Sequence, residues 1–209
     1  MNAPGEDIGE RLERILDAVD SDGSAWGGWD GRGLSTPEGA VKGGELVPAG
    51  VLVPVIKERD GSVSVLFTQR TMKVKDHKGQ VSFPGGVEEE GDGSLLETAL
   101  RETMEEIGLG REKVGVKGRL RPYDTITGYR VHPFVGVIEG RPEVTVSDDE
   151  IEHVFFVGLD TLMDEATFRQ TRIEWDGRVH EVRAYEWGGP VIWGATANIL
   201  SELIERLRS

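Results

Sequence analysis

The chain has 209 residues, 37% hydrophobic and 30% charged, the balance of a soluble globular protein long enough to bury a core in one domain. Its formal net charge of −14 excludes broad binding to nucleic acid or to anionic membranes, both of which need a positive footprint. The absence of cysteine excludes disulfides and thiolate metal sites, so any metal must take oxygen or imidazole ligands.

The N-terminal MNAPGEDIGE has neither a basic n-region nor an apolar h-region, and no apolar run approaches the roughly 18 residues of a membrane span. The expected residence is the cytoplasm. Ile8, Leu12, Ile15, Leu16 and Val19 stand at helical spacing, which predicts an amphipathic helix over 5–19 that packs on its own domain or on a partner subunit. The glycine-rich stretch after it has no period and reads as a connection, pinned by Trp26 and Trp29. Residues 1–45 are therefore set apart from a domain over 46–209. There, AGVLVPVIK and SVSVLFTQ, separated by ERDG, predict a β-hairpin. RTMKVKDHK follows, with Arg70, Lys73, Lys75 and Lys78 against Asp76 alone. It reads either as a solvated loop or as a local positive stretch that receives phosphates.

GQVSFPGG predicts a short strand ending in a tight glycine turn, followed by the acidic loop VEEEGDG. Ser94 and Glu97 have capping-box spacing, which starts a helix near Leu95 and gives Glu97 a capping role. Gly108 stands where a glycine ends one. At about 100° per residue, Leu96, Ala99, Leu100, Thr103 and Ile107 fall on a core face, and Glu102, Glu105 and Glu106 on a separate carboxylate face. Like charges at i,i+3 and i,i+4 weaken a helix slightly. A solvated face accommodates them, and so does a bound cation. Mg²⁺ takes oxygen ligands and is shared with substrate phosphates, and such a cluster orients a pyrophosphate and activates water. Arg101 is placed to hold one of the carboxylates. Glu88, Glu90, Asp92 and Gly93 hint at a calcium loop, but Ala99 stands where its bidentate Glu is required.

Further strands are predicted around GVKGRLRPY, RVHPFVGVIE, HVFFVG, TRIEW and RVHEVRAYEW, with a short helix near LDTLMDEA. Ile199, Leu200, Leu203, Ile204 and Leu207 give ATANILSELIERLR the spacing of a closing helix. Together these predict a mixed sheet sandwiched between helices. His132, His153 and His180 lie in separate strands without ligand spacing and read as structural, and Trp187 and Trp193 are assigned to the core.

GGVEEEGDGSLLETALRETMEEIGL, Gly85 to Leu109, resembles the Nudix box, G-x5-E-x7-R-E-U-x-E-E-x-G-U with U aliphatic. Arg101 to Leu109 match it except at Thr103, which occupies an aliphatic position. In the first half Asp92 replaces Glu, and eight residues instead of seven separate it from Arg101. Upstream, LFTQRTMKVKDHKGQVSFPGG, Leu66 to Gly86, is similar to the signature of the coenzyme A pyrophosphatase branch, L-L-T-x-R-[SA]-x3-R-x3-G-x3-F-P-G-G. Thr68, Arg70, Gly79, Phe83, Pro84, Gly85 and Gly86 fit it, whereas Phe67, Thr71 and Lys75 depart from it. Lys75 keeps the charge of the usual Arg but not its planar fork.

The resemblance implies an α/β fold, the Nudix-type α/β/α sandwich with a mixed β-sheet. Carried over residue by residue, it implies Mg²⁺ or Mn²⁺ on Glu102, Glu105 and Glu106, with Arg101 orienting them and Glu102 or Glu150 as general base. Arg70, Lys75, His77, Gly85 and Gly86 are the implied substrate-binding residues. The implied reaction is hydrolysis of the diphosphate of coenzyme A or acyl-CoA, giving 4′-phosphopantetheine or its acyl derivative and adenosine 3′,5′-bisphosphate. The alternatives are hydrolysis of another nucleoside diphosphate derivative such as NADH or ADP-ribose, and a non-catalytic nucleotide sensor of the same fold. The expected partner is a small nucleotide, not nucleic acid or a membrane, and the expected state is a monomer or homodimer.

Overall fold

The computed structural model describes residues 46–72, 79–147, 149–175 and 178–208. The helix expected over 5–19, the glycine-rich connection with Trp26 and Trp29, and Lys75 and His77 lie outside the described residues.

The central strand is β1 (Val47–Lys57), apolar almost throughout because both of its faces are covered. Strand β7 (Tyr129–Glu139) runs parallel to it, from Val47 opposite Tyr129 to Lys57 opposite Glu139. On its other side β2 (Val63–Arg70) forms the expected antiparallel hairpin, Val55 opposite Val65. Beyond that pair β1 and β2 diverge, and the segment carrying SFPGG fills the gap. Strand β3 (Val81–Ser82) pairs with β2 at Thr68 and Gln69, and β4 (Gly85–Val87) pairs with β1 at Ala49 to Val51. Strands β5 (Gly115–Arg119) and β6 (Tyr123–Asp124) pair with β7, and β8 (Ile151–Gly158) pairs with β2, completing a mixed sheet. The divergence explains how a proline sits in a central strand, where a missing N–H normally breaks the ladder. The Leu52 N–H points into the gap, donating to the Pro84 carbonyl, so alternation aims the Pro54 nitrogen the same way. Pro54 falls where the neighbour of β1 changes from β4 to β2, and no ladder bond is lost there.

Helix α1 (Leu95–Ile107) covers one face of the sheet. Leu52 packs there with Ala99 and Leu100, and Ile56 with Leu66, Ile107, Leu109 and Ile138. A short α2 (Leu159–Met163) follows β8. Strands β9 (Phe168–Trp175), β10 (Arg178–Tyr185) and β11 (Ile192–Trp193) form a second antiparallel sheet. The closing helix α3 (Gly194–Arg208) brings Ala197, Leu200, Leu203, Ile204 and Leu207 against Val53, Val55, Val65 and Phe67 on the opposite face. The chain is an α/β sandwich, with even-numbered residues of β1 facing α1 and odd-numbered ones facing α3. Phe83, Phe67, Phe155 and Trp187 form a continuous stack with centroids 5.1–5.7 Å apart.

The assignment of Trp193 to the core is corrected. Ile192 takes the inward position of β11, so alternation turns Trp193 outward, where it is exposed. The single 3-10 turn at Arg111–Lys113 and the two-residue strands β6 and β11 carry too little periodicity to be foreseen. Among the described residues no helix is long and apolar enough to cross a membrane.

Gly50 lets α1 rest directly on β1, because a Cβ there would stand 2.1 Å from the Leu95 carbonyl oxygen. Gly50→Ala is expected to lower stability by about 1–3 kcal/mol, read from the midpoint of urea unfolding. An unchanged midpoint would show that α1 lifts from the sheet without penalty.

Candidate active site

Helix α1 is fixed at both ends before its carboxylates come into play. The Ser94 hydroxyl accepts the Glu97 N–H at 3.3 Å, and Gly108, at φ 68°, donates its N–H to the Met104 carbonyl. The Glu97 carboxylate, expected to complete the cap, instead takes two bonds from Arg111 at 2.7 and 3.1 Å. Thr103 is fully buried where the box pattern has an aliphatic residue. Its hydroxyl donates to the Ala99 carbonyl at 2.6 Å, one turn back, and so enters the core already satisfied.

Arg101 organises the loop before the helix. Its Nε and Nη2 grip the two oxygens of Asp92 at 3.0 and 3.1 Å, and Nη2 also donates to the Val87 carbonyl. Its Nη1 donates to Glu102 at 2.9 Å and to Glu105 at 3.1 Å. Asp92 accepts further bonds from the Glu89 N–H and the Thr98 hydroxyl. These bonds, that of Arg101 foremost, hold its carboxyl well below the usual carboxylate range. Asp92 thus provides the carboxylate partner of Arg101 despite its shifted spacing, because the extra residue is taken up in the loop.

The three glutamates have three environments, which corrects the expectation of one separate carboxylate face. Glu105 is the exposed one. Glu102 packs against β4, where a Cβ on Gly86 would come within 2.5 Å of its carboxylate. Glu106 is only 3% exposed, because this flank of α1 lies against β4 and β2 rather than solvent. Its Oε2 accepts the Gly85 N–H at 3.3 Å, and its Oε1 is 3.6 Å from Arg70 Nη1. Burial pushes the Glu106 carboxyl up to about 8, with Glu102 and Glu150 adding repulsion and Arg70 opposing. Burial also raises Glu102, with Arg101 opposing.

Glu150 arrives from a distant loop and completes the group. The Thr145 and Ser147 N–H groups donate to the Ile107 and Glu106 carbonyls at 2.9 Å, tying the loop to the last turn of α1. The Glu150 N–H returns to the Ser147 carbonyl, and the Glu150 carbonyl accepts the Thr71 N–H at 2.9 Å. Alternation along β2 puts Arg70 on the same face as Leu66, the face that α1 covers. There its Nη2 lies 3.6 Å from Glu150 Oε2. Five expected site residues, Arg70, Arg101, Glu102, Glu106 and Glu150, are therefore brought together, and Gly85 and Gly86 shape the wall against Glu106 and Glu102. Asp92 joins them as the residue that sequence spacing failed to place.

The NUDIX domain family model matches residues 46–176, more than half of the chain. This chain is a Nudix hydrolase. It is 37% identical over 155 residues, 74% of its length, to the uncharacterized Nudix hydrolase NudL of Citrobacter koseri, covering 80% of that protein. The same values hold for NudL of Salmonella paratyphi B. A crystal structure of the C. elegans Ap4A hydrolase in a binary complex matches 54% of this chain and 80% of its own, at 19% identity and a TM-score of 0.46. Nudix hydrolases act on phosphate anhydrides and generally use divalent metal ions.

The donor set of this Nudix hydrolase fits such an ion. Every donor is a hard carboxylate oxygen, and burial first, then repulsion from Glu102 and Glu150, raises the Glu106 pKa. Among the described residues, no three acidic or imidazole groups already close around one point. The reason is local, since Arg101 draws Glu102 and Glu105 to one side and Arg70 stands between Glu106 and Glu150. A wide depression at the opposite end of the sheet is lined by Lys57, Glu58, Glu139 and Arg141, whose charges pair among themselves.

The raised Glu106 pKa predicts a pH dependence in chelator-treated protein. The native state keeps a proton that the unfolded chain releases near the ordinary carboxylate value of 4.5. The resulting stability is fully present below that pH and is lost as pH rises through about 8. Urea midpoints should therefore fall from weakly acid to weakly alkaline pH more steeply in wild type than in Glu106→Gln. Parallel profiles would show that burial does not govern this carboxyl.

Proposed function

We propose that this Nudix hydrolase cleaves the diphosphate of coenzyme A or acyl-CoA. The observation that carries the proposal is where the described parts of the Leu66–Gly86 segment lie, the part similar to the coenzyme A pyrophosphatase signature. It begins in β2, delivers Arg70 beside Glu106 and Glu150, and ends at Gly85 and Gly86 against Glu106 and Glu102. The stretch similar to that signature and the carboxylate cluster thus lie side by side, which supports this reading.

In this reading Glu102, Glu105 and Glu106 hold Mg²⁺ or Mn²⁺. The bound ion supplies positive charge to the diphosphate oxygens and makes water a better nucleophile at neutral pH. Arg101 keeps Glu102 and Glu105 at a fixed separation, and Asp92 keeps Arg101 in place. The Gly85 N–H holds Glu106 with its second oxygen toward the site. Arg70, Lys75 and His77 receive the phosphates. A water adds to one phosphorus, the anhydride P–O bond breaks, and the water's proton passes to a carboxylate. Glu150, half exposed and outside the grip of Arg101, suits that last role better than Glu102, whose oxygen is already bonded at 2.9 Å. The products are adenosine 3′,5′-bisphosphate and 4′-phosphopantetheine or its acyl form.

The test is a product assay by mass spectrometry with Mg²⁺ or Mn²⁺, offering coenzyme A, NADH and ADP-ribose at equal concentration. Adenosine 3′,5′-bisphosphate should form fastest, from coenzyme A. Turnover of NADH or ADP-ribose without coenzyme A would discard the substrate while keeping the site, and bound nucleotide without product would favour a sensor. Glu106→Gln is expected to lower kcat at least about a hundredfold, and near-wild-type turnover would refute the metal assignment.

A further inference from the structure

Two arginines enter the carboxylate cluster, and they are held differently. Arg101 satisfies Nε, Nη1 and Nη2 with hydrogen bonds of 2.9–3.3 Å, so its fork is fixed. Arg70 lies 3.6 Å from Glu106 on one side and 3.6 Å from Glu150 on the other, beyond good hydrogen-bond distance. Its Nε is buried and has no hydrogen-bond partner among the described residues. Its guanidinium thus sits between Glu106 and Glu150 without a directed hydrogen bond to either. Glu106, which it faces, is buried and already crowded by Glu102 and Glu150.

We propose that Arg70 is a stand-in cation, occupying the carboxylate cluster of the metal-free enzyme beside Glu150 and competing with the divalent ion for Glu106. This rests on the assignment of Glu102, Glu105 and Glu106 to that ion. Loading of the site requires the guanidinium to let go of Glu106. The freed guanidinium keeps its positive charge and stands beside the cluster, where a diphosphate held by the same ion offers new oxygens. The ion and the substrate are thereby coupled through one side chain. A doubly charged ion outcompetes a singly charged group held at 3.6 Å, whereas Arg101, with bonds to Asp92 and Val87, stays in place.

The test uses metal and protein alone, so it separates from any failure of the coenzyme A reading. In substrate-free enzyme labelled at arginine, the Arg70 Nε–H resonance, assigned through Arg70→Lys, should move and saturate as Mg²⁺ is added, while that of Arg101 holds. This readout needs no variant to remain fully folded under titration. In parallel, Mn²⁺ binding followed by paramagnetic resonance at alkaline pH should be about tenfold tighter in Arg70→Gln than in wild type, with Arg70→Lys between them. An Arg70 resonance unmoved at saturating Mg²⁺, or Mn²⁺ held no more tightly by Arg70→Gln, overturns the proposal. Mn²⁺ binding to neither protein overturns the metal assignment and this inference with it.

Discussion

The site depends first on a single guanidinium. Arg101 spends its N–H groups on the acidic loop through Asp92 and the Val87 carbonyl, and on its own helix through Glu102 and Glu105. An arginine does this where a lysine cannot, because the fork is planar, permanently charged and aimed in several directions at once. The loop between β4 and α1 is otherwise a run of glycines and acids with little to pack. Tied to Arg101, it closes over the start of the helix and Asp92 becomes part of the wall. The same residue sets the separation of two carboxylates that would repel each other if left alone.

The second constraint is the divergence of β1 and β2. Each residue of the wedge that fills the gap has its own physical task. Phe83 joins the aromatic stack over the α3 side of the sheet, and the Pro84 carbonyl accepts the Leu52 N–H. The next two positions are glycine, Gly85 of necessity and Gly86 in a way that leaves the Glu102 carboxylate where Arg101 holds it. A Cβ on Gly85 would collide with the Gly50 carbonyl oxygen at 2.4 Å, and one on Gly86 with the Glu102 carboxylate. The FPGG run is therefore a description of what fits between a central strand and a helix that carries acids on its flank. It also brings a backbone N–H to Glu106, the least hydrated acid of the group.

Much of this was legible in the sequence, because the signals were local. The hairpin, the Ser94 cap and the Gly108 stop each arise from interactions within a few residues. Family resemblance to the Nudix box added the grouping of Arg101 with its glutamates. What escaped required knowing what lies across from a residue. A helical angle separates Glu106 from Ile107, but only the position of β4 makes Glu106 a buried acid. Spacing along the loop left Asp92 in an uncertain role, whereas the pairing with Arg101 is a matter of reach. The meeting of Arg70 with Glu150 crosses 79 intervening residues and depends on the pairing of β2 with β8, which brings Arg70 opposite Ile151. Trp193 was placed inside for its size, yet a two-residue strand has only one inward position and Ile192 fills it.

The loop carrying Glu150 shares its backbone hydrogen bonds with two neighbours, taking carbonyls from the final turn of α1 and giving its own to Thr71. Helix ends ordinarily fray, since their last carbonyls have no intrahelical partner. Here those carbonyls are engaged, and the loop cannot swing away without exposing them. The helix terminus, the loop and the end of β2 therefore open as one cooperative unit, with amides that exchange with solvent together rather than singly. An acid placed on such a loop gains the rigidity of a secondary-structure element while staying at the water's edge.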